Sequence, residues 1–219
     1  LHTELAELAE SSNNMAEKLD QVETSRQEFV SNVSHELKTP LSSIKVLSDS
    51  ILIQDPETVP KEMYVEFLRD INSEVDRMTA IINDLLTLVR MNRQEVALKP
   101  LEINITVMVG DIVKRLEPIA RAKNVSINYN RAREVIAEVE ETKLSLAVSN
   151  LIENAIKYNV DDGKIDVSVD CDHQNAFITV ADTGIGIAED EIGKIFDRFY
   201  RVDKNRDRET GGTGLGLSI

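Results

Sequence analysis

The residue best suited to chemistry is His35, which lies within a long helical pattern. On a helical wheel, Val33 and Leu37 lie on the apolar seam, and His35 lies about 160 to 200° away from them. His35 is therefore predicted to face water, and Thr39 lies one turn further along the same face. A neutral imidazole is a nucleophile, and the neighbouring Glu36 carboxylate can hold its second N–H and fix the tautomer.

A second polar cluster lies on the helical pattern 141–158. Its apolar face is formed by Leu144, Val148, Leu151, Ile152 and Ala155. Asn150, Asn154 and Lys157 lie within about 60° of one another on the opposite face. Amide oxygens and an ammonium group suit Mg²⁺ and phosphates, whereas the alternative is an ordinary solvated face.

Two glycine-rich segments follow this helix. Asp182 precedes Gly184 and Gly186, and the second segment spans 211–217. Glycines let the backbone approach a ligand closely, and a row of backbone N–H groups binds phosphate. A buried carboxylate at Asp182 can accept a hydrogen bond from the amino group of adenine. No Gly-Lys-Ser/Thr follows, so this is not a Walker A loop.

Two long helices precede these segments. The pattern 3–53 contains no glycine and has a heptad seam of Leu5, Leu8, Ser12, Met15, Leu19, Val22, Arg26, Phe29 and Val33. After a turn at 55–60, a second seam comprises Tyr64, Leu68, Ile71, Val75, Met78, Ile82, Leu85 and Val89. A helix of about 75 Å needs a partner, so we expect a helical hairpin that forms a four-helix bundle in a dimer, with a kink at Pro40.

The second half of the chain predicts an α+β domain with helices packed on one sheet. We expect helices over 105–123 and 141–158, and a linker over 92–104 that leads into a strand. The other predicted strands are 125–130, 135–139, 164–171 and 175–181.

Composition narrows the possible partners. The chain has 219 residues and a net charge of −14, which makes it a poor general binder of nucleic acid or anionic membrane. An anionic ligand would therefore need a local basic patch, and residues 198–208 supply five basic side chains against two acidic ones. One cysteine, Cys171, excludes an intramolecular disulfide. We assign no site role to Cys171, His2 or His173.

The stretch Ser34-His-Glu-Leu-Lys-Thr-Pro-Leu41 resembles the H-box of the HisKA class of sensor histidine kinases. The resemblance implies that His35 is autophosphorylated from ATP and that Glu36 acts as acid or base. It also implies that Thr39 supports dephosphorylation of a response regulator.

The later segments resemble the boxes of Bergerat-type (GHKL) ATPases. These are the N-box at 150–158, the G1 box at 182–187, the F-box at 195–201 and the G2 box at 211–217. The resemblance implies that Asn154 holds Mg²⁺, Lys157 contacts phosphate, Tyr158 lies near the nucleotide, Asp182 reads adenine and Arg201 stabilises the transferring phosphate. The other implied nucleotide-binding residues are Asn150, Gly184, Gly186, Gly212, Thr213, Gly214, Leu215 and Gly216.

The pattern as a whole resembles the PhoR/WalK-like sensor kinases. It implies a HAMP-end signalling helix over 1–28, a dimerisation and phosphotransfer domain over 29–92, a linker over 93–102 and a C-terminally truncated ATP-binding domain over 103–219. The resemblance further implies that ATP and Mg²⁺ are the cofactors, that the chain forms a homodimer and that a response regulator is its partner. It also implies that the chain is the soluble cytoplasmic portion of a bacterial membrane receptor. The alternatives are another Bergerat ATPase of gyrase or chaperone type and a signalling scaffold with decayed motifs.

Overall fold

The structure, a computed structural model, describes residues 2–54, 59–93, 100–202 and 212–218. The chain divides into two compact units, Leu1–Asn83 and Asp84–Ile219. The centre of the predicted turn, 55–58, and most of the basic patch, including Lys204, Arg206 and Arg208, lie outside the described residues, as does Gly211.

The first unit contains the two predicted long helices. Helix α1 spans His2–Ile53 and helix α2 spans Lys61–Arg93, running past the boundary of the unit. Helix α1 continues through Pro40, so the expected kink does not end it. Pro60 precedes α2, and its carbonyl accepts the Met63 N–H at 3.0 Å. No described helix has the length and apolarity needed to cross a bilayer.

The apolar seam of α1 is largely uncovered within this chain. Met15, Leu19 and Val22 are 63%, 67% and 66% exposed. Exposed apolar side chains at heptad spacing are typical of a helix that packs against another chain.

The apolar face of α2 is wider than the single predicted seam. Ile81 and Leu88 are buried, although the heptad pattern had omitted both. Within the predicted seam, every second position is exposed, namely Leu68, Val75, Ile82 and Val89. Ile81 and Leu88 each lie one residue, or about 100° around the helix, from a predicted seam position, so the face buried in this chain is rotated relative to that seam.

The second unit has the predicted order of elements, and each predicted bound lies within one residue of the observed one. The elements are β1 Leu101–Asn104, α3 Ile105–Ala122, β2 Ser126–Arg131, β3 Ile136–Val139, α4 Glu141–Lys157, β4 Lys164–Cys171 and β5 Ala176–Asp182. The expectation of one sheet is wrong, because β1 pairs antiparallel with β3 in a separate two-stranded sheet. The main sheet has the order β2-β4-β5, with β2 and β4 parallel and β4 and β5 antiparallel.

The core of this unit lies between the main sheet and helices α3 and α4. Ile165, Val167 and Val169 alternate along β4 and are fully buried, because this central strand presents every second side chain to the helices. Asn104 ends β1 and caps α3, its side chain accepting the Val107 N–H at 3.1 Å. Burial of the apolar face of α4 leaves its polar face and its C-terminal end available to form a site.

Candidate functional site

The candidate phosphoacceptor face lies on α1. His35 and Thr39 are exposed, whereas Glu36 and Leu37 are half-buried, as the helical wheel predicted. The Thr39 hydroxyl donates to the His35 carbonyl at 3.2 Å. The imidazole and the threonine side chain are thus presented to solvent one turn apart on a regular helix.

Glu36 has a partner that the sequence did not reveal. Nη2 of Arg77, on α2, lies 3.9 Å from Oε2 of Glu36. The two side chains are only 11% and 26% exposed, respectively. Glu36 is thereby drawn towards α2, while its neighbour His35 faces water.

In the second unit, the N-box and the G2 box are in direct contact. The Asn150 side-chain amide donates to the Gly216 carbonyl at 2.8 Å. A Cβ on Gly212 would lie 2.2 Å from Nζ of Lys157 and 3.3 Å from the Tyr158 hydroxyl. A side chain at 212 would therefore displace the tip of Lys157, and Gly212 lets the loop approach the end of α4 without that rearrangement.

The F-box also meets the G2 box. The Phe199 N–H donates to the Gly214 carbonyl at 2.8 Å. Both residues have a positive φ, 64° at Phe199 and 71° at Gly214, and a Cβ on Gly214 would lie 2.9 Å from the Phe199 Cα. Arg201 is half-buried two residues beyond Phe199.

The G1 box adjoins the end of α4. The Ile185 N–H donates to the Tyr158 carbonyl at 3.1 Å, and a Cβ on Gly184 would lie 2.5 Å from that same oxygen. Oδ1 of Asp182 accepts the Gly184 N–H at 2.8 Å. Gly186 has a φ of 70°, which favours glycine.

The expectation of a buried Asp182 is wrong, because this residue is exposed. Asp182 ends β5, the edge strand of the main sheet, and shares its face with Ile178 and Val180. Asp182 is the last residue of β5, where the strand leaves the sheet, and its carboxylate remains open to solvent.

The sequence motifs did not single out two residues of this region, Thr183 within the G1 box and Asn159 directly after the N-box. The Thr183 hydroxyl accepts the Lys164 N–H at 2.9 Å and donates to Oδ1 of Asn159 at 3.2 Å. The Asn159 amide in turn donates to the Ala155 carbonyl at 3.1 Å. The pair joins the G1 box to the start of β4 and the end of α4; their positions beside Asp182 and Tyr158 were the only signal in the sequence.

Charged side chains lie next to the G2 box in the second unit. The Thr213 hydroxyl donates to Oδ2 of Asp84 at 2.5 Å. Although Glu153 is an exposed residue, loss of water around its carboxyl raises its pKa, Arg115 opposes this shift, and Asp84 adds to it. Arg115 is held by a hydrogen bond of 2.8 Å to the Ser149 hydroxyl.

Asn154, the residue that the resemblance assigns to Mg²⁺, lies on α4. Within the described residues, no group of three or more His, Cys, Asp or Glu side chains is arranged to hold a metal ion. The Asn154 residue is half-buried on α4, and its backbone carbonyl accepts the Tyr158 N–H at 2.9 Å. Gly184 and Gly212 both pack closely against Tyr158, the first at its backbone carbonyl and the second near its hydroxyl.

Comparisons with known proteins agree with this geometry. Residues 25–94 match the His Kinase A (phospho-acceptor) domain, and residues 139–219 match the histidine kinase-, DNA gyrase B-, and HSP90-like ATPase. Sensor histidine kinase WalK of Bacillus subtilis is 36% identical over 206 residues, covering 93% of this chain and 33% of the relative. Phosphate regulon sensor protein PhoR of Pseudomonas aeruginosa is 34% identical over 202 residues, covering 92% of this chain and 45% of the relative.

A solved structure shares the fold. Histidine kinase ThkA, in complex with response regulator protein TrrA, superposes with a TM-score of 0.61 at 23% identity, covering 80% of this chain and 50% of that one. The chain spans about a third of the length of the Bacillus relative. With a phosphoacceptor domain followed by a GHKL ATPase domain, the chain belongs to the HisKA-class family of sensor histidine kinases.

Proposed function

We propose that this chain is the kinase portion of a two-component system, and that it transfers a phosphoryl group from Mg-ATP to His35. The observation that carries the proposal is the meeting of the N-box, F-box and G2 box through the Asn150–Gly216 and Phe199–Gly214 hydrogen bonds. Segments far apart in sequence thereby meet beside α4.

The second unit's residues have separate roles in holding the nucleotide. The Asn154 amide oxygen contributes to Mg²⁺ coordination, and the Lys157 ammonium pairs with phosphate. Asp182 accepts the exocyclic amino group of adenine, beside Tyr158. Backbone N–H groups of the G2 loop bind phosphate, whereas Asn150 fixes that loop through the Gly216 carbonyl.

Glycines and one buried leucine form the rest of the proposed nucleotide site. Gly184 and Gly186 let the G1 backbone approach the base, and Leu215, which is fully buried, anchors the G2 loop in the fold. The G2 contacts come from Gly212, Thr213, Gly214 and Gly216.

Phosphoryl transfer requires an unprotonated ring nitrogen on His35. That nitrogen forms the bond to the γ-phosphorus, while the bond from phosphorus to the β-bridging oxygen breaks and ADP leaves. Glu36 accepts the N–H of the second ring nitrogen and keeps the attacking nitrogen free of its proton. Arg201 stabilises the negative charge on the transferring group.

The exposed face of His35 and Thr39 also suits a response regulator. We propose transfer of the phosphoryl group to an aspartate of that regulator, and removal of it with help from Thr39. ThkA, which shares the fold, was solved in complex with a response regulator protein. Thr39→Val keeps the shape of the side chain, so it should abolish regulator dephosphorylation and leave labelling of His35 intact.

The uncovered seams support a homodimer through α1 and α2, with a coiled coil at the start of α1. The proposed organisation is a HAMP-end helix over 1–28, a phosphotransfer domain over 29–92, a linker over 93–102 and an ATP-binding domain from 103. The proposed parent is anchored in a bacterial membrane with these domains on the cytoplasmic side, because the first residues resemble the end of a HAMP relay.

The test is incubation of the purified chain with Mg²⁺ and ATP labelled at the γ-phosphate. The expected label is covalent, acid-labile and base-stable, and is lost in His35→Ala and in Asn154→Ala. Size-exclusion chromatography with light scattering should give a dimer for both variants. Label that survives in His35→Ala, or ATP hydrolysis without any protein label, would overturn the proposal; the second result favours an ATPase of gyrase or chaperone type.

A further inference from the structure

We propose that Arg77 is a positioning residue for Glu36 and thereby sets the rate at which His35 is phosphorylated. The inference deepens the proposed function and rests on it. It is based on the ion pair between the two helices of the first unit, where Nη2 of Arg77 lies 3.9 Å from Oε2 of Glu36.

This ion pair differs from the other ones described on these helices. Arg26–Glu23 and Lys45–Asp49 each join residues within one helical turn of α1, and all four side chains are at least 45% exposed. Pairs of that kind contribute little, because water screens them and the side chains lose entropy. The Arg77–Glu36 pair connects α2 to α1, and its arginine is 11% exposed. Lower exposure strengthens the attraction, because less water screens it.

The side of α2 that carries Arg77 is closed to solvent. Ile81, one turn further along, is 1% exposed. Nε of Arg77 is itself buried and has no hydrogen-bond partner among the described residues, and the same holds for Oε2 of Glu74, one turn earlier. A guanidinium keeps its charge in such a setting, so Arg77 presents a permanent positive charge towards Glu36.

This fixed charge has a consequence for the neighbouring histidine. A glutamate on an exposed helix face samples many rotamers, and restricting it costs side-chain entropy. Arg77 restricts Glu36 before any phosphate arrives. A carboxylate has two oxygens, so one can face Arg77 while the other takes the N–H of His35, which is the arrangement that a pre-oriented base requires.

A purely structural ion pair between the helices is the competing explanation, and a double-mutant cycle separates the two. The variants are Arg77→Met, which keeps the length of the buried stem, Arg77→Lys, Glu36→Gln and the double variant Arg77→Met/Glu36→Gln. Arg69→Gln, an exposed arginine on the same helix, is the matched control.

The measurements are the maximal rate of His35 labelling and the ATP concentration that gives half of that rate, with melting temperature and dimer state measured alongside. Arg77→Met should lower the maximal rate about tenfold and change the half-saturating ATP concentration less than about twofold, within the range of coupling between contacting residues. Arg77→Lys should recover part of the rate, and Arg69→Gln should match the wild type.

The double variant gives the deciding comparison. It should be no slower than Glu36→Gln alone, because Arg77 acts only through that carboxylate. A multiplicative loss in the double variant, an unchanged rate in Arg77→Met, or a loss that follows only the melting temperature would overturn the inference. Failure of the wild-type chain to label His35 at all would instead overturn the proposed function, so the two failures are distinguishable.

Discussion

The phosphoacceptor face and the nucleotide site are built in opposite ways. His35, Glu36 and Thr39 lie within one turn of α1, and the helix alone determines which of them face water. The nucleotide site is assembled from α4, the end of β5 and two loops, held by hydrogen bonds such as that from Asn150 to the Gly216 carbonyl. The first site depends on one local pattern, whereas the second depends on the whole fold of the unit.

This difference predicts how each site responds to substitution. An exposed residue on a regular helix can be changed at little cost to stability, since few contacts are lost. In the assembled site, a single methyl group can prevent two segments from meeting. Substitutions in the nucleotide site should therefore impair binding and local folding together, while those on the helix face should impair chemistry alone.

The largest expected effect is that of Gly214→Ala. Its Cβ would lie 2.9 Å from the Phe199 Cα, and the φ of 71° is strained for any residue with a side chain. We expect at least a tenfold loss of ATP affinity, measured by isothermal titration, with unchanged helical content of α1. Gly193→Ala is the control, since a Cβ there meets nothing within 4 Å. Wild-type affinity in Gly214→Ala would mean that the F-box and G2 contact is dispensable.

An intermediate effect is expected for Thr183→Val. The variant leaves the Lys164 N–H and Oδ1 of Asn159 without the hydroxyl that joins them, at a cost of roughly 0.5 to 1.5 kcal/mol because both bonds are exposed. Urea unfolding should show this loss of stability, and ATP affinity should fall as the G1 box loosens. Thr179→Val, at an exposed position on β5, should behave as the wild type. Equal stability of the two variants would contradict the assigned role of Thr183.

The smallest expected effect is a pH dependence from Glu153, whose pKa is raised in the folded chain, mainly by loss of water. The folded state binds this proton more tightly than the unfolded state, so its contribution to stability is lost as pH rises above the ordinary glutamate range. Glu153→Gln should gain on the order of 0.5 kcal/mol near pH 8 and nothing near pH 4, because the exposed residue is well screened.

Urea titrations at the two pH values provide the measurement for Glu153→Gln. Asp84 contributes to the shift, so the gain should shrink when Asp84→Asn is already present. A gain of the same size at both pH values would show that charge on Glu153 is not its cause.

The sequence predicted the locally determined features well. Helical periodicity predicted α1 to within one residue and the exposure of His35, and alternation predicted the bounds of β4. Those properties depend on neighbours three or four residues apart, or two in a strand, so a single chain contains the information.

The features that the sequence did not predict involve long-range contacts. Arg77 meets Glu36, and Thr213 meets Asp84, through folding that brings distant residues together. No periodic pattern encodes such pairs. The pairing of β1 with β3, apart from the main sheet, was missed for the same reason. The exposure of Asp182 depends on where β5 ends relative to the helices that cover the sheet, which the alternating pattern does not encode.

Helix α1 has a mechanical property that follows from Pro40. Proline supplies no N–H, so Pro40 cannot donate the usual helical bond to the carbonyl four residues earlier, although α1 continues for 52 residues. A long helix with one weaker turn bends most readily at that turn. In α1 that turn contains His35 and Thr39, so we expect bending of the helix to reorient the face that carries them before it changes the rest of α1.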